Sequence, residues 1–138
     1  MLTELEESQQ ESIKNYSKAG IEISVVDEET VLIKQSKLIN GYILSNKELF
    51  KRARAIFPEH NIKPVVFNLD VSSITIEWIE QKMKEFGLNK KDLSRQLAIK
   101  KEDIALYFSK KKGIEYTLKA AFYYYFLSYE LNKNFRAI

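Results

Sequence analysis

Lysine dominates the chemistry that this chain can offer, and it clusters. Lys90, Lys91, Lys100, Lys101 and the run Lys110-Lys111-Lys112 all fall within residues 88 to 112, alongside the hydrogen-bonding side chains of Asn89 and Ser109. The whole sequence holds 18 Lys against 4 Arg, and only Arg95 and Arg136 lie in its carboxyl half. A compact ammonium suits point contact with phosphate, whereas a guanidinium makes the forked contact to a guanine edge. Charge is distributed to match. Residues 1–70 carry 9 Lys and Arg against 11 Asp and Glu, residues 71–138 carry 13 against 8, and the chain total is +3. The positive excess therefore sits where a nucleic-acid footprint would need it, a solvated basic surface being the plainer alternative.

Other chemistries have little to work with. With no Cys there are no disulfides and no thiolate metal ligands, and the single His60 precludes a His-rich site. His60 follows Pro58 in a Glu-His-Asn loop and reads as a surface histidine. Four glycines form no phosphate-cradling cluster, and Glu28 and Glu29 flank a turn as solvated charges. Lys51, Arg52 and Arg54 ride the polar side of a helix and read first as a solvated face. Neither a nucleophile–base pair nor a metal cluster is present, so the expectation is a non-enzymatic protein without cofactors.

The lysine cluster needs a scaffold, and the apolar spacing supplies one. Leu93 and Leu97 are four apart, and Ile104 and Tyr107 are three apart, as on helix faces. Between them Ala98-Ile99-Lys100 breaks the rhythm over the length of one tight turn. Two short helices joined by such a turn describe a helix-turn-helix. The spacing predicts a preceding helix over 75–86, capped by Thr75, ended by Gly87, with Trp78, Ile79, Met83 and Phe86 as its core stripe. The next two helices are predicted over 90–97, with Asn89 as N-cap, and over 101–108. Trp78, the only Trp, reads as packing between the two halves of the chain.

These residues resemble the lambda-repressor and Cro class of bacterial helix-turn-helix domains. Leu88-Asn89-Lys90 opens the unit, Leu93-Ser94 stands for the family's Leu-Ala, and Leu97-Ala98-Ile99 stands for Leu-Gly-Val. Ile104 and Tyr107 take the last core positions, and Ser109-Lys110-Lys111-Lys112 takes the loop. Ser94 replaces a small Ala, Ala98 replaces the turn glycine and Lys110 the loop glycine; glycine enters positive φ at no steric cost, so Ala98 implies a slightly different turn or some strain. The pattern covers about a fifth of the chain, and amphipathic helix pairs can imitate it. The resemblance implies duplex DNA in the major groove, with Lys100, Lys101, Glu102, Ala105 and Leu106 facing bases. It further implies that Asn89, Lys90, Ser109, Lys110, Lys111 and Lys112 contact phosphate. Glu102 and Asp103 oppose a polyanion at that helix tip. They also suit a helix amino terminus, and Glu102 could accept from cytosine N4.

The amino half reads as a small sheet with a helix across it. Thr3 and Glu6 suggest a capping box for a weak helix over 3–19, with Leu2, Leu5, Ile13 and Tyr16 as a thin stripe. Ile21, Ile23 and Val25, then Val31 and Ile33, alternate as in a β-hairpin, and a third short strand is expected near Tyr42-Ile43-Leu44. Ser45 and Glu48 cap a helix whose core face is Leu49, Phe50, Ala53, Ile56 and Phe57, stopped by Pro58. Residues 62–69 form another strand with Pro64 at its start or edge. So small a unit is expected to pack on the carboxyl half or on a second chain.

The last segment, 115–135, is aromatic enough for a buried strand, but its length and Ala pair favour a helix. One side carries Leu118, Ala121, Phe122, Tyr125 and Tyr129, expected to close the helical core. The other carries Ala120, Tyr123, Tyr124, Leu127 and Leu131, more apolar area than a monomer normally leaves in water. Tyr123, Tyr124, Leu127 and Leu131 are therefore the expected dimer or interdomain face.

The whole is thus expected to be α+β: a tail or helix over 1–20, a small α+β domain over 21–70, and an all-α lambda-repressor-like domain over 71–138. The expected function is a cytoplasmic, homodimeric, sequence-specific regulator binding double-stranded DNA, of repressor or antitoxin type. The amino half is the candidate for a protein partner such as a toxin or regulator. The acidic amino terminus and the lack of a long apolar run point away from secretion and membranes. A protein-interaction module that keeps the helical fold without DNA is the alternative.

Overall fold

A computed structural model describes residues 5–136, and the chain divides between Asn68 and Leu69 into two compact units. The protein is α+β, with helices in both units and one small sheet in the first.

The first unit runs α1 (Glu7–Lys18), β1 (Ile21–Val25), β2 (Thr30–Gln35), α2 (Asn46–Ile56) and β3 (Asn61–Val65). The sheet order is β1-β2-β3. The hairpin is antiparallel with Ile23 opposite Ile33, and α2 is the crossover that lets β3 pair parallel to β2, Ile62 lying opposite Val31. Alternation decides which face is covered. Ile21, Ile23, Val31 and Ile33 bury against Leu49, Ala53 and Phe57, while Glu22, Ser24, Lys34 and Lys63 stay exposed on the other face. α1 lies on the covered face too, contributing Ile13 and Tyr16 at the rim. Its Gln9 Nε2 donates to the Ile56 carbonyl at 3.1 Å, and the Arg52 guanidinium sits 5.9 Å from the Tyr16 ring centre.

Several expectations change here. Residues 42–44 are a loop, and buried Gln35 explains why. Its Nε2 donates to the Tyr42 carbonyl at 2.9 Å and its Oε1 accepts from Leu44 N at 2.8 Å, so one side chain satisfies groups that a strand would have paired. Phe50 is exposed beneath the Arg54 guanidinium, 5.1 Å from its ring centre, and is no core residue. β3 ends at Val65, well before residue 69. Glu6 is the N-cap of α1, its N–H donating to Gln9 Oε1 at 3.0 Å, while the expected cap Thr3 and stripe residue Leu2 lie outside the described residues. His60 is half-buried, edge-on to Phe57 at 5.1 Å, with no hydrogen-bond partner at its buried Nε2. The Ser45–Glu48 capping box is present as expected.

The second unit is helical: a 3₁₀ turn Val71–Ser73, then α3 (Ile76–Phe86), α4 (Lys90–Leu97), α5 (Lys101–Phe108), α6 (Tyr116–Leu131) and α7 (Lys133–Arg136). Thr75 Oγ1 accepts from Trp78 N at 3.1 Å to start α3, and Gly87 ends it at φ 67°, with Leu88 N returning to the Met83 carbonyl at 2.8 Å. Asn89 and Asp92 then cap α4 reciprocally, at 3.0 and 2.9 Å. The core joins Ile79 and Met83 of α3, Leu93 of α4, Ile104 and Tyr107 of α5, and Phe122 and Phe126 of α6. Trp78, expected between the halves, packs within this unit, its ring centre 5.6 Å from that of Phe126. The terminal segment, expected as one helix, breaks at Asn132 into α6 and α7. No described helix is long and apolar enough to cross a membrane.

Candidate nucleic-acid interface

The turn between α4 and α5 sets the geometry of everything around it. Ala98 occupies the left-handed region at φ 56°, as does Lys110 at φ 63°. Ser94 holds the turn from within α4. Its backbone carbonyl accepts from Ile99 N at 3.1 Å, and its hydroxyl donates to the Ile99 carbonyl at 2.5 Å. Ser94 thus fastens a turn whose left-handed position is held by an alanine. Ala98→Gly should relieve most of the left-handed penalty, partly offset by a more flexible unfolded chain. The expected net gain is about 0.5–1 kcal/mol, read as a higher denaturation midpoint at unchanged m.

With the turn fixed, α5 presents Lys100, Lys101, Glu102, Ala105 and Leu106 to solvent while Ile104 and Tyr107 anchor it underneath. Asn89, Lys90, Ser109, Lys110, Lys111 and Lys112 are exposed as well. Part of this set converges. Lys90 and Lys91 at the start of α4 and Lys101 at the start of α5 line a groove of about 210 Å³ whose apolar wall is Ile104 and Ala105. Lys91 was not among the expected phosphate-binding residues, although its place directly after Lys90 in the first turn of α4 was readable.

The acidic pair separates into two roles. Asp103 is half-buried and accepts from Lys112 Nζ at 3.4 Å. Glu102 is exposed and makes no ion pair among the described residues. The loop lysines also differ among themselves. Lys110 is paired with Glu77 of α3, and Lys112 with Asp103 while lying 5.5 Å from the Tyr107 ring centre. Lys111 makes no ion pair among the described residues. Hydrogen bonding to Glu77 and to Asp103 raises the Lys110 and Lys112 ammoniums above the ordinary lysine value, and the Lys110 bond lowers Glu77. Such exposed pairs hold little energy, so both cations can exchange a carboxylate for a stronger anion. Lys90 rests over the Phe108 ring at 4.9 Å, which steadies it beside the groove.

α6 is tied to α4 by Gln96, whose Oε1 accepts from Tyr125 Oη at 2.6 Å and Tyr129 Oη at 2.8 Å. Of the expected dimer or interdomain face, Tyr124 and Leu131 are exposed, and Tyr123 and Leu127 are half-buried. Burial pushes the Tyr123 phenol up. Tyr123 and Leu127 help line a groove of about 200 Å³ with Trp78, Phe126, Lys82 and Glu130. Phe126, buried at the base of this groove and absent from both expected faces, is the residue that sequence reasoning missed.

Comparison of the chain with known protein families, with curated proteins and with solved structures gives no match.

Proposed function

We propose that α3 to α6 form a repressor-type helix-turn-helix unit that lays α5 in the major groove of duplex DNA. On this reading the protein is a sequence-specific transcriptional regulator of repressor or antitoxin type, acting as a homodimer on a two-fold-related site. The observation that carries it is one exposed surface. The first turn of α5 exposes Lys101 and Glu102, with Lys101 beside Lys90 and Lys91 of α4 and Asp103 paired to Lys112 of the loop. An α-helix fits the groove with its first residues against base edges while neighbouring elements touch the backbone. Lys101 and Glu102 occupy the base-facing tip, and Asn89, Lys90, Lys91 and Lys111 are placed for phosphate. The groove at Lys90, Lys91 and Lys101 pairs cations with the apolar Ile104 and Ala105, a combination suited to a phosphate beside a sugar or a thymine methyl.

The test is selection of bound fragments from random duplexes by the full chain, followed by titration of the selected site. A selected consensus bound with steep salt dependence supports the reading, and no enrichment with no salt-dependent binding defeats it in favour of a protein-interaction module. Glu102→Ala separates sequence reading from simple adhesion. Its exposed carboxylate is free to accept from cytosine N4, so the variant should bind generic duplex more tightly and lose preference at one position. Discrimination there should fall by about tenfold, corresponding to the roughly 1–3 kcal/mol of a specific base contact, measured by competition among single-site operator variants.

A further inference from the structure

The outward face of α5 limits what a duplex contact there can read. Successive residues of an α-helix turn by about 100°. With Ile104 and Tyr107 buried, Glu102, Ala105 and Leu106 come out on the opposite side, and all three are exposed. Lys101 is exposed at the edge of that side, where it meets Lys90 and Lys91.

The residues of α5, Lys-Glu-Asp-Ile-Ala-Leu-Tyr-Phe, include no Arg, Asn, Gln, Ser or Thr. That composition narrows the code. In the major groove Arg or Lys takes guanine O6 and N7, Asn or Gln takes adenine N6 and N7, and a carboxylate accepts from cytosine N4. Thymine alone offers a methyl group, which an apolar side chain covers. Lys101 and Glu102 leave guanine and cytosine readable, and no side chain of α5 can make the forked adenine contact. The rest of the outward face is Ala105 and Leu106.

An exposed leucine by itself is ordinary. Leu106 is 37% exposed, and its setting distinguishes it. On one side Ala105 forms part of the wall of the groove that Lys90, Lys91 and Lys101 line. On the other, the Leu106 carbonyl accepts from Lys111 N at 3.0 Å and Lys112 N at 3.2 Å, which brings the lysine loop against the end of α5. Lysine, an apolar pair and lysine again follow the order of phosphate, base edge and phosphate met across a major groove.

We propose that α5 reads thymine by its methyl group, with Ala105 and Leu106 seated on the C5-methyls of two thymines in the bound site. This rests on the duplex reading and names the base that the helix selects. Burial of apolar surface carries the discrimination. Each methyl taken out of water gives about a fourfold preference over the same base without it.

Deoxyuridine in place of thymidine removes that methyl and leaves the hydrogen-bonding groups of the base pair unchanged. The duplex selected by the full chain should contain thymines, each replaced by deoxyuridine in turn and titrated by fluorescence anisotropy. Binding should weaken about fourfold at each of two positions and about fifteenfold when both are replaced. The change lies in the DNA, so the fold of the protein is untouched. Leu106→Ala, at an exposed residue, should bind the thymine and deoxyuridine forms of one position alike, and Ala105→Ser those of the other. A selected site without thymine would overturn the proposal, and so would one bound equally well with deoxyuridine throughout. Deoxyuridine discrimination that survives both substitutions in the protein would overturn it too, by placing the methyl contacts elsewhere. Each of these three outcomes leaves the duplex reading standing, because a site has been selected. Failure to select any site defeats both.

Discussion

Phe126→Ala is expected to destabilise the carboxyl unit by about 3–5 kcal/mol, the usual cost of emptying a buried aromatic site. Phe126 is 2% exposed and sits where α3 and α6 meet, stacked with Phe86 and Phe122 at 6.4 and 6.3 Å and edge-on to Trp78 and Tyr125 at 5.6 and 5.1 Å. Removing the ring leaves those partners facing a void that rigid helices refill only in part. Trp78 is the chain's only tryptophan and touches Phe126, so its fluorescence reports this unit through urea unfolding. The Trp78 transition should move to lower urea at unchanged m. Phe135→Ala, at a residue 74% exposed, should stay within about 0.5 kcal/mol of the native chain. If both substitutions act alike, the aromatic core is misassigned.

That Phe126 escaped sequence reasoning has a physical cause. α6 reads Ala-Ala-Phe-Tyr-Tyr-Tyr-Phe-Leu, apolar on every side through its middle, and a helix without a polar stripe gives no phase to its own rotation. The rotation follows the burial of Phe122 and Phe126 against the other helices, and Gln96 of α4 fastens it by accepting from both the Tyr125 and Tyr129 hydroxyls. Such a long-range polar contact leaves no trace in local spacing. Gln35 is the same lesson in the first unit. A glutamine ending a strand reads as solvated, yet here it is buried and replaces a strand at residues 42–44. The parallel pairing of β3 likewise depends on where the α2 crossover returns the chain, which alternation alone does not encode.

Elements whose causes are local were legible. Thr75, Asn89 and Gly87 bound their helices as their side chains or φ dictate, and the Ser45–Glu48 box starts α2. Positive φ falls at Ala98 and Lys110, because a tight turn imposes that backbone whichever residue occupies it. For the candidate interface, the exposure of the lysines was readable, since they occupy the polar positions of amphipathic helices. Their pairing was not. Nothing near Lys110 in sequence announces Glu77, which lies on another helix.

Those pairings decide which lysines matter most. Replacing Lys90, Lys91 and Lys111 together by alanine is expected to weaken duplex binding about a hundredfold at physiological salt, equally for specific and unrelated sequences. None of the three makes an ion pair among the described residues, so each can meet a phosphate without first leaving a carboxylate. Each phosphate left without its lysine should take about 0.9 from the slope of log K against log salt, so the triple variant should flatten it by about 2.7. Affinity and slope must fall together. A fall in affinity at constant slope would mean that alanine had disturbed α4 rather than the charge, and circular dichroism of the free variant would register that change. The matched control is Lys14, Lys18 and Lys63 to alanine, which removes the same charge from the first unit, where all three lysines are exposed. If the two triple variants weaken binding equally, net charge alone draws the chain to DNA. If only Lys90, Lys91 and Lys111 matter, the binding surface is confined to the face that α4, the turn at Ala98 and α5 build between them.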